Sequence, residues 1–444
     1  MSRATPLAAD HAAARPADPA VTAPAARAAC TRHGITPRAP SPATRDEAAA
    51  VTPLTPTVID QPAAFARLAC VWEELLAQST PRHVFLTHAW LQAAWSFVAD
   101  RRALRVLLLR DAGGTLRAAL PLTLERLRIR GLPVRQLAFL TDPITGCVRS
   151  DLIAATDWRL AAVQACGHWL HTTRRDWDGC VPDAVTTASP LLAHHDRLGA
   201  AGVPAEAARP QWVVHRRPLA GSWETYLASL GAHLRGHLRQ ESRRLHASGA
   251  VEQEFARSRA AVCAALEDFL ALEKITRKQA RTDYTPFDAR LTTFHRTLLD
   301  SLAADGHALV ARLLIDGHCA AVILATCHDG EVHTLNDMYH PDFQRARPGH
   351  ALRGALLEWA WRQGLAAVDF NGYGPHLERW RTVGQPLYRL HLYSPTARGR
   401  LLRTWREHCI PWARRQLPAA LLPAARRPRS TPGGQRGLPA AEQP

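Results

Sequence analysis

The chain has 444 residues, of which 47% are hydrophobic, and its formal net charge is +16. This length and composition predict two domains plus tails, with enough apolar residues to fill real cores. The positive charge alone does not identify a nucleic-acid-binding protein, because residues 398–444 carry ten arginines against two glutamates and hold half of it. The rest of the chain is only mildly basic.

The sequence argues against a membrane-spanning or a secreted protein. No run of about 18 uncharged apolar residues occurs, so a transmembrane helix is not expected. Asp10, Arg15 and Asp18 interrupt the N-terminus, which lacks the basic and then apolar pattern of a secretory signal. We therefore expect a cytoplasmic protein.

The nine cysteines form no C-x-x-C pair. Most of them lie in apolar runs, as do Cys166, Cys263, Cys319 and Cys327. This usage is typical of buried free thiols in a reducing compartment. His233 and His237 are four residues apart but lack an obvious third ligand, so we predict no metal site.

The N-terminal part reads as a tail followed by helices. Residues 1–55 are rich in alanine and proline, without periodicity, and are predicted to be disordered. Apolar spacing predicts a helix over 62–78, and a second helix begins within 85–95 with Thr87 as its N-cap.

A hairpin follows, in which the apolar runs 104–110 and 116–124 flank the turn Asp111–Gly114. Residues 310–324 repeat this order of strand, Asp-Gly turn and strand. The similarity indicates an internal duplication, although Asp-Gly turns are common.

Residues 222–249 are predicted to be mostly helical, with Gly231 and Gly236 as points where the helix can break. The polar faces carry Arg235, Arg239, Arg243 and Arg244. These arginines either meet an anionic ligand or form a solvated basic face, and the second alternative is the more common one for charge runs.

Residues 309–388 form the stretch with the clearest order. Three apolar runs are separated by Asp-Gly turns and predict an antiparallel meander over 309–315, 319–327 and 332–339. A loop at 344–350 then leads into a helix over 351–363.

The strand 366–370 follows that helix and opens into the glycine-rich loop 371–375. Beyond this loop, 387–393 alternates as a last strand. Residues 401–416 predict a basic, tryptophan-bearing helix, which can lie on an anionic membrane surface or pack on the domain. Residues 417–444 are predicted to be disordered.

Several catalytic motifs are absent from the sequence. It has no G-x-S-x-G elbow and no G-x-x-x-x-G-K loop, so hydrolase and NTPase functions lose support. The G-x-G at 372–374 lacks the third glycine of a dinucleotide-binding fingerprint and is followed by Pro375.

The order of elements over 309–388, with its loop at 344–350, resembles the acyl-CoA N-acyltransferase (GNAT) superfamily. The branch it resembles is the CelD-like or BioF-like acetyltransferases, which are related to the FemAB aminoacyltransferases. The resemblance implies an α/β (α+β) fold with a mixed, mostly antiparallel sheet flanked by helices. Together with the internal duplication, it implies two such halves, at 56–215 and 216–416.

The resemblance also implies a co-substrate, acyl-CoA, and no metal. In this superfamily the third strand of the meander splays from its neighbour, and the loop and helix after it hold a pyrophosphate, for which a helix N-terminus is suited. The positions that match are Met338, Tyr339, Arg345, Arg347, Gly349 and His350. Pro348 stands where the superfamily usually has another glycine.

Catalytic candidates follow from the reaction class, because an attacking amine must lose a proton and a departing thiolate must gain one. Asp337, at the end of the third strand, is the first candidate base, followed by Asp369 and Glu273. Tyr373 is the candidate acid. The branch carries a Tyr-Lys pair downstream, where this chain has Leu377–Trp380.

Three functions remain open at this point. The first is an acyl-CoA-dependent N-acyltransferase that acts on an amine, with a role in exopolysaccharide or envelope biosynthesis. The second is a FemAB-like transferase that uses aminoacyl-tRNA, whose RNA binding would be sensitive to salt. The third is a catalytically silent accessory protein with the same fold.

Overall fold

The computed structural model describes residues 53–409 except 130, 148 and 277–284. The first part of the chain forms β1 (Thr55–Ile59), α1 (Pro62–Ala66), α2 (Ala69–Ala77), α3 (His88–Val98), β2 (Arg102–Arg110), β3 (Leu116–Ile129), β4 (Leu132–Phe139), β5 (Ile153–Ala154), α4 (Arg159–Thr172), β6 (Gly179–Val181), α5 (Pro190–Ala193) and α6 (His195–Ala200).

The second part forms β7 (Arg209–Pro218), α7 (Trp223–Ser229), α8 (Ala232–Ala247), β8 (Val251–Ala256), α9 (Arg259–Ile275), α10 (Ala289–Ala304), β9 (Ala308–Ile315), β10 (His318–His328), β11 (Glu331–Tyr339), α11 (Pro348–Arg362), β12 (Ala367–Asp369), α12 (Pro375–Glu378), β13 (Val383–Arg389), β14 (Leu392–Tyr393) and α13 (Ala397–Thr404). Short 3-10 helices lie at Val84–Leu86, Pro143–Thr145, Thr156–Trp158 and Pro341–Ala346, and a π-helical turn at Trp405–Cys409.

The strands form two seven-stranded mixed sheets. The first has the order β1-β2-β3-β4-β6-β14, with β5 beside β3, and the second has the order β13-β7-β12-β11-β10-β9-β8. Each sheet contains four consecutive antiparallel strands and then one parallel pair, β4 with β6 or β11 with β12, whose strands are joined through a helix. The two parts of the chain therefore repeat one order of elements, which confirms the predicted tandem arrangement.

The first sheet is not built from one contiguous part of the chain, whereas the second uses the consecutive strands β7 to β13. The late strand β14 pairs with β6 in the first sheet, while β7 lies between β12 and β13 in the second. The domain limits of 56–215 and 216–416 remain a prediction.

Buried residues form three apolar clusters, which define the layers. One cluster joins inner faces of both sheets to α2, α3, α9 and α10. A second packs α4 to α6 on the other face of the first sheet, and a third packs α7, α8 and α11 on the other face of the second. Because burial of apolar surface is the main favourable term in folding, the shared cluster holds the two sheets together.

The local signals in the sequence are confirmed where their chemistry is specific. The oxygen of Thr87 accepts a hydrogen bond from the backbone N–H of Trp90, as expected for an N-cap. Both turns of the meander place Asp and Gly at positive φ, with 48° and 77° at Asp316 and Gly317. These are the dihedrals of the turn that suits a twisted hairpin.

Other expectations need correction. The predicted helix over 222–249 is broken at Gly231 but continues through Gly236. Cys263 is exposed rather than buried, because it lies on the outer side of α9.

The basic helix predicted over 401–416 is α13 followed by the π-helical turn, and its remainder lies outside the described residues. The predicted tails 1–55 and 417–444 also lie outside them, except for 53–55, where Thr55 begins β1. Within the described residues, none of the helices has the length and apolar character needed to cross a bilayer.

Candidate active site

The second sheet opens between β11 and β12. These strands pair in parallel only from Glu331 to His333, opposite Ala367 to Asp369. Beyond that point the chain after β12 follows β7, since the Phe370 N–H donates to the His215 carbonyl at 2.9 Å. Residues 334–339 therefore have a strand neighbour only on the β10 side.

A β-bulge contributes to this opening. The register of β11 with β10 shifts so that Leu335 has no partner residue on β10. A bulge bends its strand and increases the local twist, and the pairing of β11 with β12 ends at His333, just before this bulge. The backbone groups along the open edge of β11 are thus available to a ligand.

The N-terminus of α11 lies beside the end of β11. A Cβ placed on Gly349 would lie 3.9 Å from the Tyr339 Cβ, which is ordinary contact. Arg347 precedes the helix in the left-handed region, with φ 55°, and Pro348 occupies the first turn. Because no side chain caps this helix, its first turn and the positive end of its dipole are available to a phosphate group.

Two of the predicted phosphate ligands are held by a buried carboxylate on α8. The side chain of Glu241 is 2% exposed and accepts hydrogen bonds from Arg347 Nη1 at 2.9 Å and His350 Nδ1 at 2.6 Å. Burial raises the pKa of Glu241, but His350 and Arg347 outweigh it and hold that pKa below the ordinary value. Arg345 is exposed and forms no ion pair among the described residues.

Titratable side chains gather at the opening on the α11 side. The Asp337 carboxylate is 40% exposed and lies 3.7 Å from the Arg353 guanidinium on α11. His376 lies close enough to both charged groups for each to shift its pKa. The His376 ring packs against the backbone at Gly374, where φ is 150° and a Cβ would lie 2.7 Å from the ring. The cluster of Asp337, Arg353 and His376 therefore contains two side chains, the carboxylate and the imidazole, that can accept and release protons.

His376 is the histidine best placed to act as a base. Partial burial and then the Arg353 charge lower the pKa of His376 from its ordinary value, whereas Asp337 opposes them. The imidazole is therefore neutral near pH 7 and has a lone pair for a proton.

Tyr373 lies in the loop after β12. Its ring centroid is 5.5 Å from that of His215, which is buried and whose Nδ1 lies 2.7 Å from the Thr382 hydroxyl. Burial lowers the pKa of His215, so this neighbour is also neutral.

Asp369 is fully committed to a buried ion pair between the two sheets. Its carboxylate, 1% exposed, pairs with the Arg149 guanidinium, which is 4% exposed. The other carboxylate oxygen accepts the Asn371 N–H at 2.8 Å, and Arg149 also donates to the Asn371 side-chain oxygen at 2.8 Å. The structure thus gives Asp369 a clear role in joining β12 to the first part of the chain.

Glu273 and Met338 lie on the sheet face opposite α11. Met338 is 1% exposed and packs in the cluster shared with α9 and α10. Glu273, on α9, is 4% exposed and accepts the Phe287 N–H at 3.1 Å.

The structure therefore brings together Asp337, Tyr339, Gly349 and His350, and separates Glu273 from them. Their roles remain predictions. Arg353 and His376 are not among the residues predicted from the sequence. Arg353 could have been found one helical turn after Gly349, and His376 in the glycine-rich loop; no sequence signal connects Arg149 with Asp369.

Among the described residues, no group of three or more His, Cys, Asp and Glu side chains is arranged to hold a metal ion.

Comparison with known families supports the fold of this region. Residues 232–382, about a third of the chain, match the family model described as an acetyltransferase (GNAT) domain. The match spans α8 to the loop before β13 and includes every side chain predicted for the site. A search of functionally curated proteins finds no match.

The chain is also similar to solved structures. FemX is 11% identical, with 76% of this chain and 96% of FemX covered and a TM-score of 0.51. A tandem GNAT protein from the clavulanic acid biosynthesis pathway is 13% identical, with 76% and 98% covered and a TM-score of 0.42. The predicted fold class is confirmed: two mixed sheets are flanked by helices, and residues 232–382 match a GNAT-type acetyltransferase domain.

Proposed function

We propose that this protein is an acyl-CoA-dependent N-acyltransferase that moves an acyl group from a thioester to an amine. One observation carries the proposal: the opening between β11 and β12 lies beside the uncapped N-terminus of α11. An open strand edge suits an extended, amide-containing arm, and a helix N-terminus suits a pyrophosphate.

Donor binding would use few side chains. In this proposal the pyrophosphate meets the first turn of α11 at Gly349, with the exposed Arg345 as an additional cation. Arg347 contributes positive charge from a fixed position, because Glu241 holds its guanidinium as it holds the His350 ring. The open edge at 334–339 receives the acyl arm.

Proton transfer would use the group beside the opening. His376 accepts the proton of the attacking amine, and Asp337 stabilises the imidazolium that results. A free N–H on the open edge of β11 stabilises the carbonyl oxygen as the C–N bond forms. Tyr373 donates its proton to the sulfur as the C–S bond breaks, and the amide and the thiol are the products.

The finer assignment rests on the sequence resemblance to the CelD-like or BioF-like branch. It supports an amine acceptor on a sugar, lipid or peptide, a role in exopolysaccharide or envelope biosynthesis and a cytoplasmic location. Peripheral membrane contact through the basic segment after β14 belongs to the same proposal.

Two observations favour the alternatives. Arg239, Arg243 and Arg244 are exposed on α8, which suits the phosphates of a charged tRNA. Leu377 and Trp380, which stand where the branch has Tyr-Lys, are buried in the core at 3% and 0% exposure. The replacement of the Tyr-Lys pair by buried core residues favours a catalytically silent accessory protein, whereas a proton-transfer role of His376 favours an active enzyme.

Titration of the full chain with acetyl-CoA and with aminoacylated tRNA, each at 50 and 200 mM salt, distinguishes these functions. The proposal predicts saturable acetyl-CoA binding that the triple variant R239Q/R243Q/R244Q retains. Binding of tRNA alone, with loss of about tenfold or more in that variant or at the higher salt, would replace the proposal with the tRNA-dependent function. Binding of acetyl-CoA without transfer to any amine would favour the silent protein.

A further inference from the structure

The first sheet contains a second opening, between β4 and β6. These strands pair in parallel only from Gln136 to Ala138, opposite Gly179 to Val181. A cavity of about 280 Å³ lies at the point where they separate. Trp212 on β7 and Arg389 on β13 also line it, so both sheets contribute to its wall.

The wall of this cavity is rich in arginine. Its charged side chains are Arg102, Arg149, Arg389 and Arg406, against Glu125 and Asp183. Asp183 pairs with Arg389, and Glu125 lies 3.4 Å from Arg102. Arg149 pairs with Asp369, so among the described residues Arg406 is the lining arginine that has no ion pair.

Arg406 is the cation with the least compensation. Within the described part of the chain it forms no ion pair, and its Nη2 donates to His391 Nε2 at 2.7 Å. Burial, followed by the charges of Arg406 and Arg389, lowers the pKa of His391 to about 3, so this partner is neutral. Partial burial lowers the pKa of Arg406 and the charge of Glu206 only partly opposes this, so a half-buried guanidinium bonded to a neutral ring gains from an anion.

Ser150 supplies a second and independent indication of a ligand. It is 2% exposed, lines the cavity, and its hydroxyl has no hydrogen-bond partner in the structure. The indole N–H of Trp212, which also lines the cavity, has no hydrogen-bond partner among the described residues either. Buried polar groups are seldom left unpaired, because each costs about 1–3 kcal/mol.

We propose that this cavity binds the anionic end, carboxylate or phosphate, of a small molecule. Its volume admits one such end rather than a polymer. Arg406 supplies the charge, while Ser150 and Trp212 supply the donors that are otherwise unused. The inference does not depend on the transferase function.

The test is a titration of the full chain with sodium phosphate and, separately, with sodium malonate, at constant ionic strength, followed by the thermal unfolding midpoint. We expect one of the two anions or both to raise the midpoint of the wild type, and the effective anion to identify the ligand as a phosphate or a carboxylate. In Ser150→Ala and Arg406→Gln, the apparent Kd of the effective anion should be weaker by at least tenfold.

Two controls keep structural effects apart from binding. Ser150→Ala removes no hydrogen bond, so its midpoint without anion should equal or exceed that of the wild type. Arg400→Gln removes the same charge from an exposed site on α13 and should leave anion binding unchanged. No stabilisation by either anion, or equal stabilisation of the wild type, Ser150→Ala and Arg406→Gln, would overturn the proposal. Acetyl-CoA affinity should be the same in all four proteins, so failure here is distinct from failure of the transferase function.

Discussion

Replacing Asp369 with asparagine removes one charge of the ion pair that joins the two sheets. Arg149 would then remain buried, with 4% of its side chain exposed and no carboxylate beside it. Removing one partner of such a pair costs about 3–5 kcal/mol, because the remaining charge keeps its desolvation penalty. We expect a loss of this size in the free energy of unfolding of Asp369→Asn.

The assay is urea unfolding followed by tryptophan fluorescence, with Arg149→Gln and the double variant completing a cycle. Two amides can hydrogen-bond to each other, so the double variant should cost about 1–3 kcal/mol less than the sum of the single changes. Glu331→Gln is the matched control, because Glu331 pairs with Arg216 in the same sheet but is 27% exposed. That change should cost about 1 kcal/mol or less.

The cycle also separates structure from catalysis at Asp369. If the carboxylate acts only through Arg149, the double variant should keep the acetyl-CoA affinity and the turnover of Arg149→Gln. A cost for Asp369→Asn no larger than that for Glu331→Gln would refute the reasoning about this pair. Loss of turnover in the double variant alone would return Asp369 to the catalytic candidates.

Three further predictions concern pH, the loop before α11 and the base. Burial lowers the pKa of His295 to about 4 and that of His391 to about 3, so the unfolded chain binds more protons than the folded one below pH 6.5. These two histidines should therefore remove roughly 3 kcal/mol from the free energy of unfolding between pH 7.5 and 5.5. Urea unfolding of His295→Phe should show a smaller dependence of this free energy on pH. Glu241→Gln should cost about 2 kcal/mol in the same assay, against no measurable cost for Glu252→Gln at an exposed site. His376→Asn should lower the rate of acetyl transfer about 10²–10⁴-fold without changing the affinity for acetyl-CoA, with transfer measured as thiol release in the presence of amino sugar and peptide acceptors. The variant should also lose the decrease in rate that the wild type shows below pH 6.5. An unchanged pH profile would exclude His376 as the base.

The sequence predicts the meander of the second sheet well because its signals are local, whereas it misses β8 and joins β13 and β14 into one strand over 387–393. Asp316-Gly317 and Asp329-Gly330 specify tight turns, and the apolar runs on either side of them are long enough to assign as strands. The helix after the loop is also predicted, although it begins at Pro348 rather than at Ala351.

The first sheet is predicted less completely. Strand β4 contains charged and polar residues between its apolar ones, and β6 has three residues, so neither gives a clear period. Their separation, which forms the cavity, depends on pairing between distant segments. A one-dimensional pattern carries no information on such pairing.

The site shows the same division. Gly349 and the loop before it are recognisable, because a helix N-terminus has a local signature. The Arg149 and Asp369 pair spans 220 residues, and Glu241 lies 109 residues before His350. Such partners are selected by the packing of the two sheets and become visible only in three dimensions.

The most direct measurement is calorimetric titration of acetyl-CoA into the full chain and into Gly349→Glu and Gly349→Gln. Either residue can be placed on this backbone, since a Cβ at this position makes only ordinary contact with Tyr339. An acidic residue in the first turn of a helix is itself stabilising by about 0.3–1 kcal/mol, so Gly349→Glu should unfold no earlier than the wild type.

We predict saturable binding to the wild type, binding to Gly349→Gln within about tenfold of it, and no binding to Gly349→Glu. That pattern would place the pyrophosphate at the N-terminus of α11. Equal affinity of a folded Gly349→Glu variant, or no binding by the wild type, would contradict the account of the donor site.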